Sequence, residues 1–273
     1  MFLSKFTNYE KALDILQNLR LPISNPKYFN DPFDSRVAVD DNDQEALQLY
    51  NQWPRCTITI GARGCYGNPH EIELRRYSQL IEDAVSGADI REIENWRIAC
   101  FSRQAEWTKH IMMWSLYADS HRGVMLEFSS EFENFVKNTY ELSDVIYKDE
   151  RATITYQDSL NSDLISAKRK EALTTKSKAW EYEKETRLII PANSFSKDNR
   201  NDLYCQEING SYRDFLKIDD KWISKIVCGA MMPDNKFKTI NAEAQKMSIQ
   251  CIKLRLCAVK YELHDFDKNG CKY

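Results

Sequence analysis

The sequence predicts a mixed α+β fold, with two packed sheets or one strongly bent sheet at its core, helices on the margins, and a helical insertion over about residues 40–95. Short apolar runs of strand length, such as 97–102, 124–128 and 223–228, alternate irregularly with amphipathic helical patterns, which fits neither a helix bundle nor a regular βαβ series. No internal repeat or low-complexity linker divides the 273 residues, so 1–273 reads as a single domain. With eight glycines and no Gly-rich phosphate loop or G-x-S-x-G elbow, the phosphate-loop, doubly wound and α/β-hydrolase patterns lose their support.

The chain opens with a short apolar stretch to Phe6. Thr7-Asn8-Tyr9-Glu10 then fits a capping box, and Tyr9, Ala12, Leu13, Leu16 and Leu19 follow at helical spacing. Residues 20–24 read as a strand. In Asn25-Pro26-Lys27-Tyr28-Phe29-Asn30-Asp31-Pro32-Phe33-Asp34, two prolines bias their predecessors away from helix and fix an extended loop, either a pocket wall or a tightly tucked turn. Residues 42–50 and 70–86 are the clearer helices of the insertion, with 57–61 a possible break.

The strand at 97–102 ends on the hydroxyl of Ser102. Residues 112–118 read as a helix carrying Trp114 and Tyr117 on one face, and 119–123 turn the chain into the strand 124–128. Taken alone, an aromatic stripe of this kind is more often core than a ligand box. Two short strands fall within 144–156. A helix over 159–178 carries Lys168, Arg169, Lys170, Lys176 and Lys178, which reads as a solvated face before a nucleic-acid contact. Further strands at 203–208, 215–218, 223–228 and 249–261, and a helix at 234–247, complete the pattern, with a polar tail expected to fray.

Composition limits partners and setting. Thirty-eight Lys plus Arg against 41 Asp plus Glu give a formal charge of -3, so no global basic field argues for nucleic acid. The cysteines at 56, 65, 100, 205, 228, 251, 257 and 271 form no Cys-x-x-Cys pair and read as reduced core residues. Four histidines, none at i, i+4, make a metal site unexpected. Without a leader pattern or a long apolar run, a cytoplasmic protein with no membrane partner is expected.

The richest stretch is Trp180-Glu181-Tyr182-Glu183-Lys184-Glu185-Thr186-Arg187-Leu188-Ile189-Ile190-Pro191, where a carboxylate-dense run passes into a strand. Strand alternation puts Glu183, Glu185 and Arg187 on one face. That set suits either acid–base chemistry at a strand entrance or a solvated edge with Glu185 and Arg187 paired.

Five ordered motifs, Leu3-Ser4-Lys5-Phe6-Thr7, Phe29-Asn30-Asp31-Pro32-Phe33-Asp34, Cys100-Phe101-Ser102, Met113-Trp114-x-x-Tyr117-x-x-x-His121-x-Gly123 and Trp180-x-Tyr182-Glu183-x-Glu185-x-Arg187, resemble those of a widespread bacterial domain family of unknown function. Their order also resembles the ADP-ribosyltransferase superfamily: a polar residue on the first strand, a hydroxyl on the second, and Glu-x-Glu at the start of a later one. That resemblance implies an ADP-ribosyltransferase-like split or bent sheet with NAD as co-substrate and Glu185 as the catalytic carboxylate. Glu183 would orient or deprotonate the acceptor, Ser102 would bond the ribose or buttress Glu185, and Lys5 would bind a ribose hydroxyl or diphosphate. Tyr28 or Phe29, with Trp114 or Tyr117, would stack on nicotinamide, and Asn30 and Asp31 would fix the covering loop. Lys5 stands where many members carry histidine or arginine, and Cys-Phe-Ser replaces the Ser-Thr-Ser of toxin-like members. The implied activity is mono-ADP-ribosylation of protein, RNA or DNA by a toxin or antiviral effector with a neutralising antitoxin partner. NAD hydrolysis and a non-catalytic sensor module are the alternatives.

Overall fold

A computed structural model describes residues 2–52, 69–86, 93–103 and 108–265. The possible break at 57–61, the cysteines at 56, 65 and 271 and the polar tail from 267 lie outside the described residues. The fold is mixed α+β, and the chain divides into two compact units, Met1–Ser24, Arg97–Asp144 and Tyr182–Tyr273 in the first, Asn25–Trp96 and Val145–Glu181 in the second.

Fifteen strands are described in chain order: β1 Leu3–Thr7, β2 Arg20–Ile23, β3 Ala38–Val39, β4 Trp96–Ser102, β5 Val124–Phe128, β6 Glu141–Asp144, β7 Ile146–Lys148, β8 Thr153–Ile154, β9 Thr175–Ser177, β10 Glu185–Pro191, β11 Leu203–Ile208, β12 Ser211–Lys217, β13 Ile223–Cys228, β14 Gln250–Leu256 and β15 Leu263–Asp265. The first unit is built on an eight-stranded mixed sheet in the order β15-β14-β13-β5-β1-β4-β10-β6 and a three-stranded sheet β11-β12-β2. The strands β13 and β14 run parallel, joined by the helix Asp234–Lys246, the kind of crossover that a parallel pair requires.

Both faces of the large sheet are covered, which explains strands that read as almost continuous apolar runs. Val124, Leu126 and Phe128 share a core with Leu3, Phe101, Leu188 and Ile190, and Leu21, Leu203 and Leu216 of the smaller sheet join the same cluster. Met125 points the other way, into a second core with Phe6, Trp114, Val227 and Leu254. Burying one such side chain contributes about 1.5–3 kcal/mol. The first helix, Tyr9–Asn18, is capped by Asn8, whose side chain accepts from Lys11 N–H, and not by Thr7. Thr7 is still the last residue of β1, paired with Val124, so its backbone is committed to the sheet.

In the second unit, helices Gln44–Gln52 and Pro69–Ser86 occur as expected. Ala46, Leu74, Tyr77 and Tyr156 form a small core, with Tyr77 and Tyr156 edge to face. The helix expected to reach residue 178 is Ser162–Ala172 and stops early. The Thr174 and Thr175 hydroxyls donate to the Glu171 carbonyl, and Thr175–Ser177 become β9, parallel to β7. Lys176 and Lys178 therefore leave the basic helix face. Lys176 is buried, 3.6 Å from Asp34 and with its amine 4.9 Å from the Trp180 ring centre.

The proline loop is a tucked turn pinned by its own side chains. Asn25 accepts from Lys27 N–H, Asp31 from Phe33 N–H and Asp34 from the Ser35 hydroxyl. Pro26, Asp31 and Asp34 are buried, whereas Tyr28 and Phe33 project into solvent.

Candidate functional site

Three of the motif strands lie side by side in the first unit, in the order β1-β4-β10. The chain reaches this arrangement through antiparallel pairing of β1 with β4, with Ser4 opposite Ser102. Opposed residues share a face, so Ser102 and Cys100 face the same way as Ser4 and Phe6, while Lys5 shares the Phe101 face. The Lys5 ammonium accordingly lies 5.6 Å from the Phe101 ring centre and donates to the Cys100 carbonyl at 3.1 Å. Burial draws the Lys5 pKa below its usual range, an effect that nearby Cys100 and Glu185 partly offset.

Glu185 opens β10 and is buried. Arg187, two residues along the same strand face, donates to it twice, Nε to Oε1 at 2.8 Å and Nη2 to Oε2 at 3.2 Å. The guanidinium is wholly enclosed. Such a pair stands in a buried site only with both partners present, because either charge alone would carry an uncompensated desolvation cost. Cys100 lies close to this pair: burial, followed by the Glu185 charge, pushes its thiol well above the usual range, so it stays protonated.

Glu183 lies just before the strand that Glu185 opens, so alternation within the strand does not govern it. It ends a 3-10 turn, Lys178–Glu183, and Lys184 takes a left-handed conformation with φ 44° before the strand begins. The period-2 rule applies only inside a strand, and this kink resets it. Glu183 is nonetheless buried and tightly held: the Tyr117 hydroxyl donates to its Oε1 at 2.5 Å, and the Ser102 hydroxyl donates to its backbone carbonyl at 2.5 Å. The Arg103 N–H donates to the Lys184 carbonyl at 2.9 Å, so Ser102 and the residue after it clamp the turn together.

Ser102, Tyr117, Glu183 and Glu185 thus belong to the neighbourhood of the β4 and β10 ends. Ser102 buttresses the Glu183 turn and not Glu185. Trp114 is fully buried, edge to face with Phe6 at 5.1 Å, and is a core residue here in place of the expected stacking wall. Lys5 sits on the opposite face. Tyr28, Asn30 and Asp31 belong to the second unit, where Tyr28 and Asn30 are exposed and Asp31 serves its own turn. A cavity of about 480 Å³ in the first unit is lined by Ala230, Asp234, Phe237, residues 251–255 and Asp265, none of them singled out by the motifs. Among the described residues no cluster of three or more His, Cys, Asp or Glu is arranged for a metal ion.

Sequence reasoning missed Cys100 as a neighbour of Glu185, because that proximity depends on β4 lying beside β10. It also treated the 119–123 turn as ordinary. Asp119, Ser120 and His121 have φ of 46°, 50° and 66°, three consecutive left-handed residues without a glycine. Backbone bonds hold them: His121 N–H to the Trp114 carbonyl at 3.1 Å, Gly123 N–H to the Ala118 carbonyl at 2.7 Å and Met231 N–H to the His121 carbonyl at 2.9 Å. His121 Nε2 lies 3.1 Å from the Ser115 hydroxyl.

Among curated proteins and solved structures none matches this chain. Over residues 113–188, a span that contains Tyr117, His121, Glu183, Glu185 and Arg187, the chain is similar to a family described as "Protein of unknown function (DUF2971)".

Proposed function

We propose that the protein is a mono-ADP-ribosyltransferase that moves ADP-ribose from NAD to a macromolecular acceptor. The observation that carries the reading is the adjacency of β1, β4 and β10, with Ser102, Glu183 and Glu185 gathered at one end of neighbouring strands. Breaking the nicotinamide–ribose bond builds positive charge on the sugar, and a fixed carboxylate near it stabilises that charge. Glu185 takes this role. Glu183, aimed by Tyr117, orients or deprotonates the acceptor nucleophile. The role of toxin or antiviral effector, with a neutralising antitoxin, follows the motif resemblance.

The enclosed Glu185–Arg187 pair favours a second reading, a non-catalytic binding module in which the pair is structural. Incubation with labelled NAD and cell extract separates them. Label on a macromolecule supports transfer, free ADP-ribose with released nicotinamide indicates NAD hydrolysis in the same site, and intact NAD supports the module.

A further inference from the structure

Two cysteines that the proposed activity leaves unused meet on neighbouring strands of the large sheet. β13 and β14 pair with Ile226 opposite Cys251 and Cys228 opposite Lys253, so these four side chains share one face. The Cys228 and Cys251 sulfurs lie 4.0 Å apart, and both residues are free thiols. Cys228 is wholly buried, in one core with Ile226 and with Ile240 of the helix Asp234–Lys246. Cys251 is half-buried and lines the cavity of about 480 Å³, together with Asp234, Phe237 and Lys253. At the cavity the Lys253 ammonium donates to Asp234 Oδ1 at 2.6 Å. One sulfur thus faces a space that a small ion can enter, and the second stands directly behind it.

We propose that Cys228 and Cys251 hold a soft monovalent cation, copper(I), between their two sulfurs. Thiolates select such ions, whereas zinc in a structural site takes four ligands and this pair supplies two. A thiolate–zinc bond is about 2.3 Å long, so an ion of similar reach spans at most about 4.6 Å between two sulfurs, and the 4.0 Å separation suits a bent bridge. The hydrogen bond with Cys251, followed by burial, pushes the Cys228 thiol well above its usual range, so that thiol enters the reaction protonated. On binding, both S–H bonds break, two sulfur–copper bonds form and two protons leave to water. Copper keeps its oxidation state, so no oxidant or reductant is consumed. The bridged dithiolate carries one negative charge, which the Lys253 ammonium, opposite Cys228 on the same face, offsets.

Titrating the reduced full-length protein, without oxygen, with copper(I) held by the coloured chelator bicinchoninate tests the proposal. The unaltered protein is expected to withdraw copper from the chelator and to release about two protons for each ion bound at the pair. Loss of an outer partner weakens a metal site by about 10–100-fold, so removing a ligand, in Cys251→Ser or Cys228→Ala, is expected to weaken withdrawal by about 100-fold or more. Cys205→Ser, which changes another free, half-buried thiol, is expected to leave withdrawal as it was. Circular dichroism establishes that each variant is folded. An unaltered protein that withdraws no copper would overturn the proposal, as would folded Cys251→Ser and Cys228→Ala proteins that withdraw it as well as the unaltered one.

Discussion

The carboxylate of Glu185 and the guanidinium of Arg187, two positions apart on one strand, form a two-pronged buried pair, Nε to Oε1 at 2.8 Å and Nη2 to Oε2 at 3.2 Å. Removing one partner strands the other charge, so Arg187→Met is expected to cost about 3–5 kcal/mol. The double variant Glu185→Gln with Arg187→Met should be less destabilised than the sum of the two single changes, because neither charge is then orphaned. Urea denaturation of the four proteins measures this. Additive losses would mean that the two groups do not depend on each other.

Tyr117 and Glu183 provide a milder perturbation. Tyr117→Phe deletes only the hydroxyl that donates to Glu183 Oε1. A hydrogen bond to a charged group contributes about 1.5–3 kcal/mol, so the urea midpoint should fall by a corresponding amount. If Glu183 also aims the acceptor, transfer should slow while nicotinamide release into water persists. An unchanged midpoint would show that the bond contributes nothing to the fold.

Two glycines hold the left-handed turn against the sheet. A Cβ at Gly123 would sit 2.2 Å from the Thr7 carbonyl oxygen, and one at Gly229 would sit 2.1 Å from that of His121. Both obstacles are backbone, which cannot rotate away. Alanine at either position is expected to cost about 3 kcal/mol or more. Gly210 has φ 76° but open space around it, so Gly210→Ala should cost only about 1–2 kcal/mol. Thermal melts that rank Gly210→Ala as the most damaging of the three would contradict this account.

His121 makes stability depend on acid. Burial holds its imidazole below the usual pKa of about 6.5. Just below that pH the unfolded chain binds a proton that the folded chain refuses, so stability falls as pH drops through the window between the unfolded and folded values. Above the window the group contributes no slope. His121→Asn keeps a residue that tolerates φ 66° and removes the titration, so its denaturation midpoints should vary less between pH 7 and pH 5. Identical pH dependence in both proteins would locate the acid sensitivity elsewhere.

Much of the framework was legible because strand alternation and turn chemistry are local. Val124–Phe128 emerged with its boundaries intact, and the asparagines and aspartates of the proline loop announced a tucked turn. The helix Ser130–Thr139 was missed, although Ser129 caps it and Glu131 and Glu133 fill its first turn. The strand expected over 249–261 stops at Leu256, since Cys257 already closes a hairpin. At the site, the pairing of Glu185 with Arg187 was readable from their i, i+2 spacing. Two features were not: the left-handed Lys184 that detaches Glu183 from the strand, and the separation of Lys5 onto the other face. These are set by which strands become neighbours, a long-range property that no window of sequence contains. Cys228 is buried as expected, whereas Cys100, Cys205, Cys251 and Cys257 are only partly so.

In the proposed reaction the carboxylate at position 185 acts on the sugar of NAD. Its most direct test is nicotinamide release from NAD by the purified protein and by Glu185→Gln, with near-ultraviolet circular dichroism establishing that both are folded. Release by the unaltered protein, reduced about 100-fold or more in the variant, is the predicted result. Release at the same rate from a folded Glu185→Gln protein would contradict it.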